Sequence, residues 1–475
     1  MIYLLRRSTP FAVLLLAGAS LSACATAPDL GPLQSLRGSD AYATGQSLAA
    51  PVAEWPQDRW WDAYGDLQLG VLIDEALAGS PDLTQAEARV RMADAYAQQA
   101  GAALGPQVSA NGAISEVRQS YNMGIPQEIV PQGWGDAGQV DLNFAWQLDF
   151  FGRNRAMLAA ATSQTEAARA DAAAARLTLS TAVAAAYGDL AQLYATRDAA
   201  VEAVRVRSAS EELIAQRVRQ GLENRAALER AHAGRAAAEG GLAALEEAID
   251  LTQNGIAALI GQGPDRGLSI DRPAPGTIRR FGLPQNVSID LMGRRPDVQA
   301  ARLRAEAAAK RIDVANADFY PNVNLVAMVG LQSLGLNSLA ESDSTFGSVG
   351  PAISLPIFSS GRLEGAYRGA RAEYDAAVAS YDATVSRAFK EVADSAVSAR
   401  ALDERLGKSR EALAASQQAY DLTRGRYAQG LGTYLDVLSA EDALIANRRV
   451  VADLETRAFS LDVALIRALG GGYRV

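Results

Sequence analysis

The sequence predicts a mixed α and β membrane protein with an internal two-fold repeat. Four strands per chain would enter a transmembrane β-barrel shared between subunits, continuous with a long α-helical coiled-coil barrel. Three observations predict it: landmarks that recur at a fixed offset, paired segments that alternate apolar and polar residues, and apolar residues that return every seven positions over very long helical stretches.

The repeat orders everything else. Arg217-Val218-Arg219-Gln220-Gly221-Leu222 returns as Arg426-Tyr427-Ala428-Gln429-Gly430-Leu431, 209 residues later. Gly152-Arg153 returns as Gly361-Arg362, and Leu259-Ile260-Gly261 as Ala468-Leu469-Gly470, again at 209. Earlier in each half the offset is 215, for Pro81-Asp82 with Pro296-Asp297 and for Gly105-Pro106 with Tyr320-Pro321. The change falls between Pro106 and Gly152, so the first half carries a longer loop there. The repeats are residues 57–275 and 276–475. Ahead of them, residues 24–56 are rich in Ala, Gly, Ser and Pro without periodicity, and read as an extended tether.

Each half opens with a helix, 82–104 or 297–318. Pro81 and Pro296 sit where a first-turn proline is tolerated, Asp82 and Asp297 lie near the positive helix end, and Gly105-Pro106 or Tyr320-Pro321 stop the run. Strand pairs follow, at 106–118 with 138–150 and at 321–334 with 347–358. Val140, Leu142, Phe144, Trp146 and Leu148 alternate with Asp141, Asn143 and Gln147. Val323, Leu325, Ala327 and Val329 do the same in the second half. Period-two segments of about ten residues are a weak signature of membrane barrel strands, and equally of a soluble hairpin with one wet face. Four strands cannot close a barrel, since the smallest single-chain barrels have about eight and open edges are not tolerated in lipid. Spanning strands therefore require several subunits.

Long helices come next, at 155–219 and 362–429, each roughly 100 Å by the rise per residue. In the second, Val378, Val385, Val392, Ala399, Leu406, Leu413, Tyr420 and Tyr427 mark a heptad seam. Helices 223–260 and 432–469 run back, each about 57 Å by the same rise. Aromatics are only 6% and alanine is abundant, which suits closely packed helices better than one broad globular core.

Several classes drop out. A net charge of −9 with no basic run beyond the N-terminus argues against nucleic acid. One cysteine excludes an internal disulfide or a thiol pair for a metal. The single histidine, His232, lies in a charged helical stretch and faces solvent on this reading. No phosphate-binding, zincin or nucleophile-elbow motif stands in the mature chain, so the chain is not read as an enzyme.

The N-terminus has a function of its own. Arg6 and Arg7 precede an apolar stretch, Phe11 to Ala19, too short to span a bilayer, which marks a signal peptide over 1–23. Leu21-Ser22-Ala23-Cys24 resembles the bacterial lipobox, which implies a lipid on Cys24 and no other cofactor. Ala25 follows where an inner-membrane lipoprotein would carry Asp, so the outer membrane is the expected destination.

Arg294-Arg295-Pro296-Asp297-Val298, Ala317-Asp318-Phe319-Tyr320-Pro321-Asn322, Pro356-Ile357-Phe358 with Gly361-Arg362, and Arg426-Tyr427-Ala428-Gln429-Gly430 followed by Asp436-Val437-Leu438 carry a resemblance over nearly the whole mature chain. They look like the TolC-type outer-membrane factors, and most like their lipoprotein branch. The resemblance implies a homotrimer in outer-membrane lipid with a twelve-stranded barrel. It implies extracellular loops at 119–137 and 336–346, and a periplasmic tunnel ended by a closed iris. Partners would be a periplasmic adaptor and an inner-membrane pump. The adaptor would dock at the tip turns Gly221-Leu222 and Gly430-Leu431. Tyr427 and Asp436 match positions that constrain the iris in the family. Gly432, Ser439 and Ala227 depart from the family's Arg and two Asp, and Arg225 or Glu223 are the candidate substitutes. Tyr427 reads equally as the last residue of its seam, and Asp436 as a first-turn charge. The implied function is the exit duct of a tripartite efflux system for small molecules such as drugs. Type I protein secretion or metal export is the alternative cargo, and a lipid-anchored coiled-coil stalk or adhesin without a pore is the alternative class.

Overall fold

The computed structural model describes residues 27–122, 124, 126–274 and 281–474. In chain order its elements are α1 (Leu67–Gly79), α2 (Pro81–Ala102), β1 (Gln107–Val117), β2 (Gly135–Leu148), α3 (Arg153–Arg219), α4 (Arg225–Leu259), α5 (Val287–Arg294), α6 (Pro296–Ala317), β3 (Asn322–Leu334), β4 (Thr345–Ser354), α7 (Arg362–Ala428) and α8 (Tyr434–Ala468). The duplication is kept to the residue: α2 and α6 each have 22 residues, α3 and α7 each 67, α4 and α8 each 35. Helices α1 and α5 were not foreseen from the sequence. Some expected ends also move. β2 starts at Gly135, where it pairs with Val117, and β4 stops at Ser354, opposite Asn322 where β3 begins. α4 and α8 start at Arg225 and Tyr434, because Asn224 and Thr433 cap them.

Two compact units form. The first holds Val90–Ala168 and Ala301–Tyr381 with the described residues up to Leu36; the second holds Arg37–Arg89, Arg169–Ala300 and the chain from Asp382 onward.

The first unit contains one antiparallel sheet in the order β1-β2-β3-β4. Its register sets Asn111 beside Asp141, Asp141 beside Gly330, and Val329 beside Gly347. Because side chains alternate across a strand, that register sorts the sheet into two faces. Val108, Leu142, Val329, Val349 and Ile353 share one face, all exposed. Ser109, Asn111, Asn143, Asn324 and Ser348 share the other. Exposed aromatics flank the sheet at both ends: Trp134 at the loop end, and Phe150, Phe151, Tyr320 and Phe358 at the helix end, with Phe151 stacked on Tyr320 at 4.9 Å. Among the described residues no helix is long and apolar enough to cross a membrane.

Asp149 joins sheet to helix by accepting from the backbone N–H of Asn154 at 3.1 Å and of Arg155 at 2.9 Å, which caps α3. Arg153 then pairs with Asp318 at 2.6 Å. The N-terminal stretch is not a free tether. Arg371 donates to the Gly31 carbonyl at 2.8 Å and Tyr374 to that of Gln34 at 2.8 Å. In the second unit, Arg37 pairs with Asp382 at 3.3 Å and Tyr42 packs on Phe389. These bonds take up backbone carbonyls that an Ala/Gly/Ser composition left uncommitted.

The second unit does have a broad core, contrary to the compositional expectation. Trp60, Trp61 and Tyr64 ahead of α1, Leu69, Leu72 and Ile73 on it, Tyr187 and Leu190 on α3, Ile256 on α4, and Phe459 and Ile466 on α8 are all buried together. Trp60, Trp61, Tyr64, Tyr187 and Phe459 supply its aromatic part. Arg295 knots the start of α6: it pairs with Asp297 at 2.7 Å and Glu391 at 2.6 Å, and donates to the Ala468 carbonyl at 3.1 Å. The Arg-Arg-Pro-Asp motif is therefore a structural tie.

Candidate functional site

The turns that join α3 to α4 and α7 to α8 are built by the same local rules in both halves. Gly221 and Gly430 close the turns with φ of 72° and 78°. A Cβ would meet open space at either, so the left-handed backbone is the reason for glycine. Leu222 N–H bonds back to Arg217 O and Leu431 N–H to Arg426 O, both at 2.9 Å, satisfying the last carbonyls of α3 and α7. Leu222 and Leu431 are left exposed at the tips.

The heptad seam of α7 reaches this end intact. Val378, Val385 and Val392 are buried, Ala399, Leu406 and Leu413 half-buried, and Tyr420 and Tyr427 buried again. Tyr434, on α8, continues the series. Together with Val206, Ile214, Ala227, Val437 and Leu444 the three tyrosines form a small core of their own.

Within that core Tyr427 ties the two hairpins. Its Oη donates to Glu223 Oε2 at 3.1 Å, and Tyr434 lies 6.2 Å away ring to ring. The Arg217 guanidinium lies 4.6 Å from the Tyr427 ring centroid and donates to its carbonyl at 3.1 Å. Burial, with help from the Glu223 acceptor, pushes the phenol up to about 12, so it stays a donor at any physiological pH.

A second tie lies deeper. Glu441 follows Tyr434 by one heptad and occupies a seam position, 1% exposed. Ser210 Oγ donates to its Oε2 at 2.7 Å, and Arg207 Nε approaches Oε1 at 2.9 Å. Arg207 also pairs with Asp442, and packs against Gly234 of α4, where a side chain would come 3.3 Å from its Nη1. Burial pushes the Glu441 carboxyl above the ordinary range, against the Ser210 hydrogen bond and the Arg207 charge, which favour its ionised form. Arg448 adds a peripheral link from α8 to Glu202 of α3 at 3.1 Å.

Of the sequence candidates, the structure brings together Tyr427 and Glu223. Asp436 stands apart: it forms a capping box with Thr433, accepting from Thr433 N at 2.9 Å while Thr433 Oγ1 accepts from Asp436 N at 3.3 Å. Arg225 is the exposed first residue of α4 and has no hydrogen-bond or ion-pair partner among the described residues. Cys24 lies outside the described residues. Sequence reasoning missed Arg207, Ser210, Arg217 and Glu441. Glu441 did leave a signal, a charge at a seam position two heptads past Tyr427.

The sequence profile of the family described as "Outer membrane efflux protein" matches residues 72–262 and 288–471, one segment per repeat. The chain is 35% identical over 353 residues to the fusaric acid resistance protein FusA of Burkholderia cepacia, a match that covers 72% of this chain and 66% of that protein. It is 30% identical over 431 residues to the multidrug resistance outer membrane protein MdtP of Escherichia coli K12, covering 88% of this chain and 87% of that one. Among solved structures, the outer membrane protein VceC of Vibrio cholerae superposes with a TM-score of 0.84 at 44% identity, covering 88% of this chain and all of VceC.

Proposed function

The chain belongs to the outer membrane efflux protein family, and from that premise we propose that it is the trimeric exit duct of a tripartite system exporting small molecules. The sheet with one apolar face, one polar face and two open edges carries the proposal. In lipid, β1 and β4 must each find a partner strand, because unpaired backbone N–H and C=O groups cost several kcal/mol, roughly, in hydrocarbon. Pairing β4 of one copy with β1 of the next satisfies both edges. Three copies give twelve strands, with the apolar face toward lipid and the polar face toward the lumen. A coiled-coil stalk without a pore would leave the apolar face exposed to water.

The helical hairpins supply the periplasmic tunnel on this reading. The Tyr427–Glu223 and Arg207–Glu441 ties hold one hairpin of a chain to the other at the closed end. Lipid on Cys24 adds an outer-membrane anchor, and Leu222 and Leu431 present the apolar tips to a periplasmic adaptor, with an inner-membrane pump as the driver. Resistance to a small acid and multidrug resistance in the relatives' names support small-molecule cargo.

The test uses tip variants in living cells. Leu222→Cys or Leu431→Cys provides an exposed thiol at a site where the backbone is undisturbed. Crosslinking to a periplasmic adaptor identified by mass spectrometry, and conductance of the purified protein in planar bilayers, are the expected outcomes. A protein that never conducts, and whose tip thiol labels from outside intact cells, would be a stalk.

A further inference from the structure

Where the sheet of the first unit meets its helices, a cleft of about 440 Å³ opens. That volume lies within the range of small-molecule sites, roughly 300–1,000 Å³. Gln147, Asn322 and Ser354 line it from the strand ends. The register puts all three on the polar face, with Asn322 opposite Ser354 and Gln147 opposite Asn324. Beside them stand the rings of Phe151 and Tyr320, each 47% exposed and stacked at an interplanar angle of 16°. Arg362, the first residue of α7, completes the wall.

The charges of the cleft do not cancel within it. Arg153 is paired with Asp318 at 2.6 Å, and Asp149 with Arg155 at 3.2 Å. Arg362 has no such partner. Among the described residues its guanidinium makes no hydrogen bond or ion pair, and neither do the side chains of Gln147, Asn322 and Ser354. The nearest acid along its helix, Glu364, bonds to Arg368.

The duplication argues that a second copy of the chain does not supply the acid either. Arg362 is the counterpart of Arg153 at the offset of 209, and the counterpart of its partner Asp318, at 215, is Ala103. A neighbour that repeated the contact would bring Ala103, whose carbonyl already accepts from Asn154 Nδ2 at 3.1 Å. The second guanidinium of the cleft is left for a ligand.

We infer that this cleft binds solutes that join a carboxylate to an aromatic ring. Arg362 takes the carboxylate through its fork of N–H donors, and Gln147, Asn322 and Ser354 add neutral hydrogen bonds. The Phe151–Tyr320 stack receives the ring. The placement rests on the shared-barrel reading above, in which the polar face lines the lumen. The cleft then lies where solute leaves the helical tunnel for the strands, once per subunit. One exposed guanidinium and one aromatic contact bind weakly, which suits a duct that must release what it passes.

The experiment measures fluorescence anisotropy of 2-naphthoate with the purified full-length protein in dilute salt, a reading of binding that needs no current. The wild type binds it saturably. Arg362→Gln weakens binding about tenfold and Phe151→Leu about fivefold, with Arg362→Lys between Arg362→Gln and the wild type. Unchanged melting temperatures report that the variants are folded. Neutral 2-naphthalenemethanol and ring-saturated cyclohexanecarboxylate each compete less well than 1-naphthoate does. In planar bilayers the wild type conducts, and 2-naphthoate lowers its current. Binding that is absent, or equal in the wild type and all three variants, overturns the assignment, and conduction then leaves the duct reading standing. Binding in the expected order by a protein that never conducts supports the chemistry of the cleft and overturns its place in a lumen.

Discussion

Arg207→Ala isolates the deeper tie between the hairpins. The substitution removes the guanidinium that stands 2.9 Å from Glu441 Oε1 and leaves the carboxyl, 1% exposed, with only the Ser210 bond at 2.7 Å. Removing one partner of a buried ion pair costs about 3–5 kcal/mol. The lost contact with Asp442, which is 61% exposed, adds under about 1 kcal/mol. Glu441 can relieve the strain by taking a proton, which its raised pKa already favours. A carboxyl raised in the folded state contributes stability that is full below its ordinary value of 4.5 and is lost as pH rises through the folded value. The damage done by Arg207→Ala therefore grows from acid toward neutral pH. The charged and titratable neighbours that bear on Glu441 include Arg207 on α3, Tyr420 and Arg424 on α7, and Tyr434 and Asp442 on its own helix. Native-state hydrogen exchange over residues 205–215 and 437–446, corrected for intrinsic rates, reads the local opening free energy. A loss of about 3 kcal/mol is roughly a hundredfold faster exchange at neutral pH. The double variant Arg207→Ala with Glu441→Gln should recover most of it, because no buried charge is then left unpaired. Exchange in Arg207→Ala within about twofold of wild type would refute the reasoning, as would a double variant as labile as the single one.

Tyr427→Phe removes the 3.1 Å bond to Glu223 and should raise single-channel conductance, whereas Asp436→Ala should only fray the start of α8, with conductance unchanged. The Glu202 carboxyl is held down to about 2, chiefly by its bond to Arg205 with Arg448 adding. That stability is present above the ordinary value of 4.5 and lost as pH falls toward about 2, so Glu202→Gln should flatten the acid limb of a melting-temperature profile. At the C-terminus, Gly472 has φ of 86° and a Cβ would lie 2.2 Å from the Gln57 carbonyl carbon. Gly472→Ala should cost several kcal/mol, roughly, visible as a lower melting temperature of the second unit, while Gly124→Ala, open on all sides, should cost far less.

What the sequence disclosed follows from which forces are local. Heptad spacing, proline and glycine stops and strand alternation each act within a few residues, so the long helices and strand pairs could be read directly. Helices α1 and α5 were missed because their apolar faces make sense only against distant partners: Leu69 and Leu72 pack near Tyr187 and Phe459. The core of the second unit was missed for the same reason, since a low aromatic content says nothing about where the aromatics gather. At the helix ends, periodicity identified Tyr427, but its acceptor Glu223 is 204 residues away. The family resemblance makes Asp436 a gate candidate, while the other reading, a first-turn charge, matches its bonds with Thr433.

The duplication itself helps to separate frame from device. At the offset of 209, residues that build the frame have counterparts of the same kind: Gly221 with Gly430, Asn224 with Thr433 as helix caps, Arg153 with Arg362 at a helix start. The residues of the two ties do not. Tyr427 corresponds to Val218, Glu223 to Gly432, Arg207 to Ser416 and Glu441 to His232. His232 is exposed and bonds Glu211, and Ser416 bonds back to the Leu413 carbonyl, so neither repeats the tie. A chain that had kept both copies would hold every hairpin equally to both neighbours. This one ties its first hairpin to its second within the chain partly through polar groups that have no counterpart in the other repeat. If three such chains form a ring, as proposed above, the seams inside a subunit and those between subunits differ in their polar groups. Divergence between repeats of equal length is thus where the polar chemistry of these helix ends is written.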